Sequence, residues 1–265
     1  MATLPQIAVL GAGIFVKTQY IPRLAEISHL FCLKYIWSRS EESSRRAVEI
    51  AKQHFPGVEC KWGDQGLNDI MQDSSLIGTA VVLAGQVQVD ISLKLLKAGK
   101  HVIQEKPAAT SIPEIETALA SYKSVSTNPG QPIWAVAENY RFEPAFVESK
   151  KLVAGVGDMM NVQVIIEGSM NSSNPYFSSS WRRNFEVSLY SADGQCKSTF
   201  HPFCGVHEEL KIFIHDIVKA NLKQGNGYEA EPRSSFVEGA RDVAVLEAML
   251  ESGSKGGTLV NVKKF

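Results

Sequence analysis

Residues 1–143 predict an α/β fold, a doubly wound parallel sheet with helices on both faces, followed by a shortened α+β domain over 144–265. Three observations carry the first part. Short apolar runs recur at 6–10, 31–37, 77–83, 101–105 and 133–137, with a short, weaker strand candidate at 58–61; the first has no polar alternation, as in strands buried on both faces. Helical segments alternate with them at 42–54, 67–72, 89–98 and 112–123. The joints carry breakers: Pro56-Gly57, Gly99 and Pro107. Strands and helices in strict alternation give a doubly wound sheet, whose ligands bind at the carboxyl ends of the strands.

The first strand, 6–10, runs directly into Gly11-Ala12-Gly13, and a helix opens near Ile14. Glycines there permit a tight turn and let backbone N–H groups, aided by the positive end of the helix, approach a pyrophosphate. A dinucleotide in this turn would meet Gly11, Gly13, Ile14 and Phe15. Val16 stands where a third small residue is usual, and a plain strand–turn–helix is the competing reading.

The second strand ends at Ser38-Arg39-Ser40, and a helix begins at Glu41-Glu42 with Ser40 as its N-cap. An Asp or Glu at this point would accept the ribose 2′-hydroxyl, and a carboxylate would repel a 2′-phosphate. Arg39 can instead pair with that phosphate bidentately while Ser38 donates a hydrogen bond. NADP(H) is therefore favoured over NAD(H), with a solvated helix start as the other reading.

The fourth strand ends on Ala84-Gly85-Gln86, and its helix closes at Gly99. The fifth ends on Glu105-Lys106 and is stopped by Pro107. Gly11, Arg39, Gly85, Lys106 and Asn139 thus all fall at strand carboxyl ends. Lys106 is the first candidate for chemistry, since an ammonium beside a substrate oxygen stabilises developing negative charge and can relay a proton. Glu105 is read as an anchor of the same loop.

Composition changes at Pro144. A helix over 145–154, a strand over 162–167, a polar loop over 171–180, a hairpin of 185–190 and 197–203 turning at Asp193-Gly194, and two helices at 206–222 and 236–251 complete the chain. Phe236, Ala240, Val243, Ala244, Glu247 and Leu250 form a helix stripe read as packing, with a subunit interface in a homo-oligomer as the alternative.

With the glycine turn and the run Gly99-Lys-His-Val-Ile-Gln-Glu-Lys-Pro107 in place, the N-terminal half resembles the glucose–fructose oxidoreductase/inositol dehydrogenase (Gfo/Idh/MocA) family. Tyr140-Arg141-Phe142-Glu143-Pro144 resembles that family's segment between domains. The resemblance implies a Rossmann domain and an NAD(P)-dependent oxidoreductase that moves a hydride between nicotinamide and a small hydroxyl or carbonyl compound such as a sugar or cyclitol. In it Lys106 matches the active-site lysine, and Asn139 and Arg141 could orient substrate or cofactor. The family would continue after Ser180-Trp-Arg-Arg-Asn184 with a glycine-rich turn and a helix holding an Asp and a catalytic His. Here Phe185-Glu-Val-Ser-Leu-Tyr190, similar to a late strand of the family's substrate-side sheet, follows at once. Impaired activity, or a catalytically silent NADP(H)-binding or interaction protein, is what this departure implies.

Composition narrows the partners. A net charge of −1 over 265 residues and no basic block exclude a strong nucleic-acid field. No apolar run approaches the ~20 residues of a membrane span, and the N-terminus lacks signal-peptide order. Four scattered cysteines, Cys32, Cys60, Cys196 and Cys204, suit free thiols in the cytoplasm. Cys196, His201, Cys204 and His207 match no common zinc spacing, so no metal is expected.

Overall fold

In a computed structural model of the protein, residues 4–125, 130–157, 184–222 and 228–265 are described. The expected strand at 162–167 and the loop at 171–180 lie outside them. The chain forms two compact units, residues 1–138 with 209–265, and residues 139–208.

The first unit holds a six-stranded sheet in the order β3-β2-β1-β4-β5-β6. Its strands are β1 (Gln6–Leu10), β2 (Cys32–Ser38), β3 (Glu59–Trp62), β4 (Leu76–Val81), β5 (His101–Glu105) and β6 (Trp134–Ala137), every pair parallel. All five residues 133–137 but the first are buried strand, and Ile7, Ala8, Val9 and Leu10 of β1 are fully buried, as two-sided burial requires. The crossovers are α1 (Ile21–Glu26), α2 (Glu41–Ala51), α3 (Gly63–Gln72), α4 (Gly85–Lys97) and α5 (Ile112–Lys123). Two begin earlier than the apolar periodicity indicated, α3 at Gly63 and α4 at Gly85. Their first turns carry few apolar residues, because a first turn faces the strand ends instead of the core.

The division of the chain differs from the expected boundary at residue 143. After α6 (Pro144–Ala154), β7 (Asn184–Tyr190) and β8 (Cys196–Pro202), the helices α7 (Gly205–Leu222, from Glu209 onward) and α8 (Phe236–Ser254) cluster with the parallel sheet. Side-chain size explains this. Phe236 stacks on Trp134 of β6 with ring centres 3.7 Å apart, and Phe236, Ala240 and Val243 share one buried core with Ala8, Val81 and Val102. A Cβ on Gly239 would press on Val136 and Ala108 at 3.0 Å, so α8 sits as close to the sheet as a glycine allows. A Cβ on Gly78 of β4 would meet Ile217 of α7 at 2.7 Å. The stripe expected on the last helix is therefore packing within the chain, except Leu250, which is exposed.

The second unit pairs β7 and β8 antiparallel across the Asp193-Gly194 turn. The rings of Tyr140, Phe146, Phe185 and Phe203 lie edge-on or tilted against one another. Glu143 is fully buried and accepts the Cys204 and Gly205 backbone N–H groups at 2.9 and 2.7 Å. It caps the start of α7, where an anion is favoured.

The amino ends of the strands are structural. Lys100 is buried and donates to the Leu76 carbonyl at 2.9 Å and to that of Asp73. Lys34, Ser75 and Tyr35 converge on the Asp73 carboxylate and hold it well below the usual carboxylate range against the cost of burial. His101 is buried; its Nδ1 accepts the Ile133 N–H at 2.9 Å and its Nε2 faces Asn221 at 3.3 Å. Burial pushes its pKa down to about 4. A cavity of about 540 Å³ opens at this end beside His101, Tyr122, Trp134 and Asn221, away from the carboxyl ends where ligands of such sheets bind.

Candidate functional site

At the carboxyl end of β1 the chain makes its tightest approach. Gly11 has φ +135°, and a Cβ there would stand 2.1 Å from the Val82 carbonyl oxygen. Its N–H donates to the Trp37 carbonyl at 2.8 Å, while Val82 N–H donates to the Leu10 carbonyl at 2.8 Å. The turn is thus pinned between β2 and β4. Gly13 has open space where its Cβ would be. Ile14 and Phe15 begin the helix and are exposed; the first four N–H groups of a helix have no intrahelical acceptor.

The helix then widens into a π turn at Val16–Tyr20 before α1. Such turns are rare and cluster at functional sites. This one seats Tyr20 fully buried, its ring edge-on to Phe15 with centres 5.7 Å apart. Burial raises the Tyr20 hydroxyl well above its ordinary pKa, and the carboxylates of Glu105 and Glu209 raise it further. The hydroxyl has no hydrogen bond of normal geometry among the described residues. Tyr20 carried no signal in the sequence, because an aromatic ten residues into a βα unit reads as core.

At the end of β2, Ser38 is half-buried and Arg39 and Ser40 are exposed. Ser40 caps α2 by accepting the Ser43 N–H at 3.4 Å. Arg45 and Arg46 pair with Glu41 and Glu42; among the described residues Arg39 has no such pair. After β4, Ala84 is the extended N-cap of α4 and offers no side-chain cap. A Cβ on Gly85 would touch Thr110 and Pro107 at 3.7 and 3.8 Å, so the start of α4 lies against the loop that follows β5.

That loop begins with Glu105, half-buried, and Lys106, exposed, and the Lys106–Pro107 peptide is cis. Burial pushes the Glu105 carboxyl up to about 7, partly opposed by the Tyr20 hydroxyl, the Lys106 ammonium and the Lys106 backbone N–H. Gly11, Gly13, Ser38, Arg39, Ala84, Gly85, Glu105 and Lys106 therefore share one end of one sheet. Asn139 and Arg141 lie in the second unit, on the short helical turn Asn139–Phe142. Among the described residues no three His, Cys, Asp or Glu side chains converge as a metal site.

His101 and Glu105 make opposite contributions to the pH dependence of stability. For His101 the folded pKa lies below the free value near 6.5, so its contribution is present above pH 6.5 and is lost as pH falls through 4, about 3 kcal/mol in all. For Glu105 the folded pKa lies above the free value, so its contribution is present below pH 4.5 and is lost as pH rises through 7. Partial exposure limits that loss to about 2 kcal/mol. Urea unfolding from pH 4 to 8 should show Glu105→Gln falling more steeply than wild type towards acid, and His101→Gln falling more steeply towards alkali. Parallel profiles for the three proteins would contradict both assignments.

A nicotinamide dinucleotide fits these residues. The glycine turn leaves space at Gly13 where any side chain would intrude, helix N–H groups stand at its edge, and Arg39, without an ion pair among the described residues, follows the second strand, where a ribose would lie.

Comparison with known proteins agrees with this geometry. Residues 6–127 match the model of the GFO_IDH_MocA oxidoreductase family, NAD-binding Rossmann fold. Dehydrogenase FPY6 of Fusarium mangiferae is 34% identical over 187 residues, 68% of this chain and 51% of that protein. The NADP(+)-dependent scyllo-inositol 2-dehydrogenase IolW of Bacillus subtilis is 26% identical over 179 residues, 67% of this chain and 44% of that protein. The chain spans about half the length of the curated relatives it matches. Among solved structures, levoglucosan dehydrogenase in complex with NADH and levoglucosan superposes with a TM-score of 0.68 at 17% identity, over 99% of this chain and 100% of that one. An oxidoreductase of Thermotoga maritima gives 0.65 at 17%, over 94% and 96%. These two show the shared fold. Residues 6–127, with their glycine turn and Lys106 loop, thus form an NAD-binding Rossmann domain of the Gfo/Idh/MocA oxidoreductase family.

Proposed function

We propose that this protein binds NADP(H) at the carboxyl end of its parallel sheet and transfers a hydride between the nicotinamide and a small hydroxyl or carbonyl compound, a sugar or cyclitol. The observation that carries the reading is the gathering of the glycine turn, Arg39 and Lys106 at one end of one sheet. Bound there, the nicotinamide supplies the hydride chemistry. The chain's own groups bind and orient: Gly11 and Gly13 admit the pyrophosphate, with Ile14 and Phe15 bordering it. Ser38 and Arg39 take the 2′-phosphate, and Ala84 and Gly85 line the crevice. Lys106 holds a proton at Nζ for the substrate oxygen, Glu105 anchors its loop, and Asn139 and Arg141 orient substrate. Four free cysteines suit a reducing compartment, the cytoplasm, and no helix among the described residues is long and apolar enough to cross a membrane.

The NADP(H) preference rests on Arg39. Arg39→Asp replaces a phosphate partner by a repelling carboxylate. It should weaken NADPH about 100-fold while changing NADH less than about threefold, since charge-assisted bidentate contacts are worth roughly 1.5–3 kcal/mol each. Fluorescence titration of both cofactors checks this, and equal losses would refute the role.

A second reading is favoured by one feature, the direct succession of Asn184 by Phe185 where the family resemblance would place an Asp and a His. Under it the chain binds NADP(H) without turnover. Screening sugars and cyclitols with the NADPH-binding protein separates the two: tight binding with no oxidation or reduction of any of them selects the silent protein.

A further inference from the structure

The ends of β2 and β3 are level. Ser38 stands directly opposite Trp62 in the parallel register, so Trp62 is the neighbour across the sheet of the Ser38-Arg39-Ser40 turn. Its side chain is unusually open. Trp37 and Trp134 are 4% and 2% exposed and donate their ring N–H to the Gly63 and Gln104 oxygens, whereas Trp62 is 42% exposed. It is the N-cap position of α3 but forms no side-chain cap, and burying a tryptophan is ordinarily favourable. On one side Arg45 of α2 sets its guanidinium 5.9 Å from the ring centre and is itself held by Glu41. Arg46 is paired with Glu42, so Arg39 is left as the cation of this corner without a carboxylate partner among the described residues. Gly63 follows with φ +60° and nothing within 4 Å of a Cβ position, so no side chain shields the approach there.

We propose that Trp62 is the platform on which the adenine of the bound nucleotide stacks, with Arg45 backing the indole and Arg39 on the adjacent 2′-phosphate. The inference rests on the NADP(H) reading and adds to it a residue that sets affinity through the base instead of the phosphate. A flat indole with a cation behind it suits a π-faced base, which stacks whatever its hydrogen-bonding edge. A merely decorative surface Trp–Arg pair would instead contribute only to local packing.

Adenosine 2′,5′-bisphosphate and 5′-AMP serve as probes in calorimetric titrations of wild type, Trp62→Ala, Trp62→Phe and Arg39→Ala. Trp62→Ala is expected to weaken both probes by the same factor, about tenfold or more, because stacking is indifferent to the 2′-phosphate. Arg39→Ala should weaken the bisphosphate selectively. Trp62→Phe should retain most of the affinity and lose the tryptophan quenching that the bisphosphate causes in wild type. It keeps the test open should Trp62→Ala melt early. Unchanged affinity in Trp62→Ala, or unchanged quenching in Trp62→Phe, would overturn the platform while leaving the NADP(H) reading intact. Wild type that binds neither the bisphosphate nor NADPH would overturn that reading, and the platform with it.

Discussion

Gly11→Ala is expected to lower the unfolding free energy by about 2–6 kcal/mol and to abolish NADPH binding. At φ +135° an L-residue is strained by roughly 1–3 kcal/mol before any contact is considered. The added Cβ would also lie 2.1 Å from the Val82 carbonyl oxygen; that oxygen is backbone and the position of a Cβ is set by its own backbone, so no rotamer relieves the overlap. The turn cannot retreat either, because Gly11 is bonded to Trp37 on one side and Val82 to Leu10 on the other. Overpacking of this kind adds roughly 1–3 kcal/mol more. Gly13→Ala is the matched control. Its Cβ meets nothing within 4 Å, so stability should change by less than about 1 kcal/mol while NADPH affinity still falls, since the new methyl occupies the proposed pyrophosphate space. Urea unfolding and fluorescence titration on both variants check this. A Gly13→Ala protein that binds NADPH like wild type would contradict the cradle.

The second large effect concerns Lys106. Lys106→Met keeps the length of the side chain and removes its proton and charge. Turnover of any sugar or cyclitol that the wild type accepts should fall by about 100- to 10,000-fold, the range typical of a positioned proton-transfer group. NADPH affinity should stay within about threefold. Lys106 is exposed at the strand end, so the fold should be unaffected, and a melting temperature within a degree or two of wild type is the control. Loss of turnover confined to KM, with kcat intact, would show that the ammonium binds substrate without acting in the reaction.

The parallel sheet was legible in the sequence because a strand buried on both faces leaves an uninterrupted apolar run, and 6–10 and 133–137 are such runs. The helix 112–123 was legible to the residue, since Ser111 caps it and Pro113 fits its first turn. Helix starts at Gly63 and Gly85 were less so, because a glycine at a first turn carries no periodic signal. The partition of the last two helices was hidden for a different reason. Phe236, Ala240 and Val243 are equally suited to any apolar face, and only the depth left by Gly239 and Gly78 fixes which sheet they cover. At the carboxyl end of the sheet, Gly11, Arg39 and Lys106 could be singled out from the sequence, because each stands where a strand ends in a turn. Tyr20 and Trp62 could not, because one is placed by a π turn and the other by a cross-strand register, and neither leaves a trace in composition.

Fluorescence titration of the purified protein with NADPH and NADH tests the central claim most directly. Binding of NADPH at least about tenfold tighter than NADH, through one 2′-phosphate paired with Arg39, is the result this structure predicts. Absence of binding to either cofactor would contradict it.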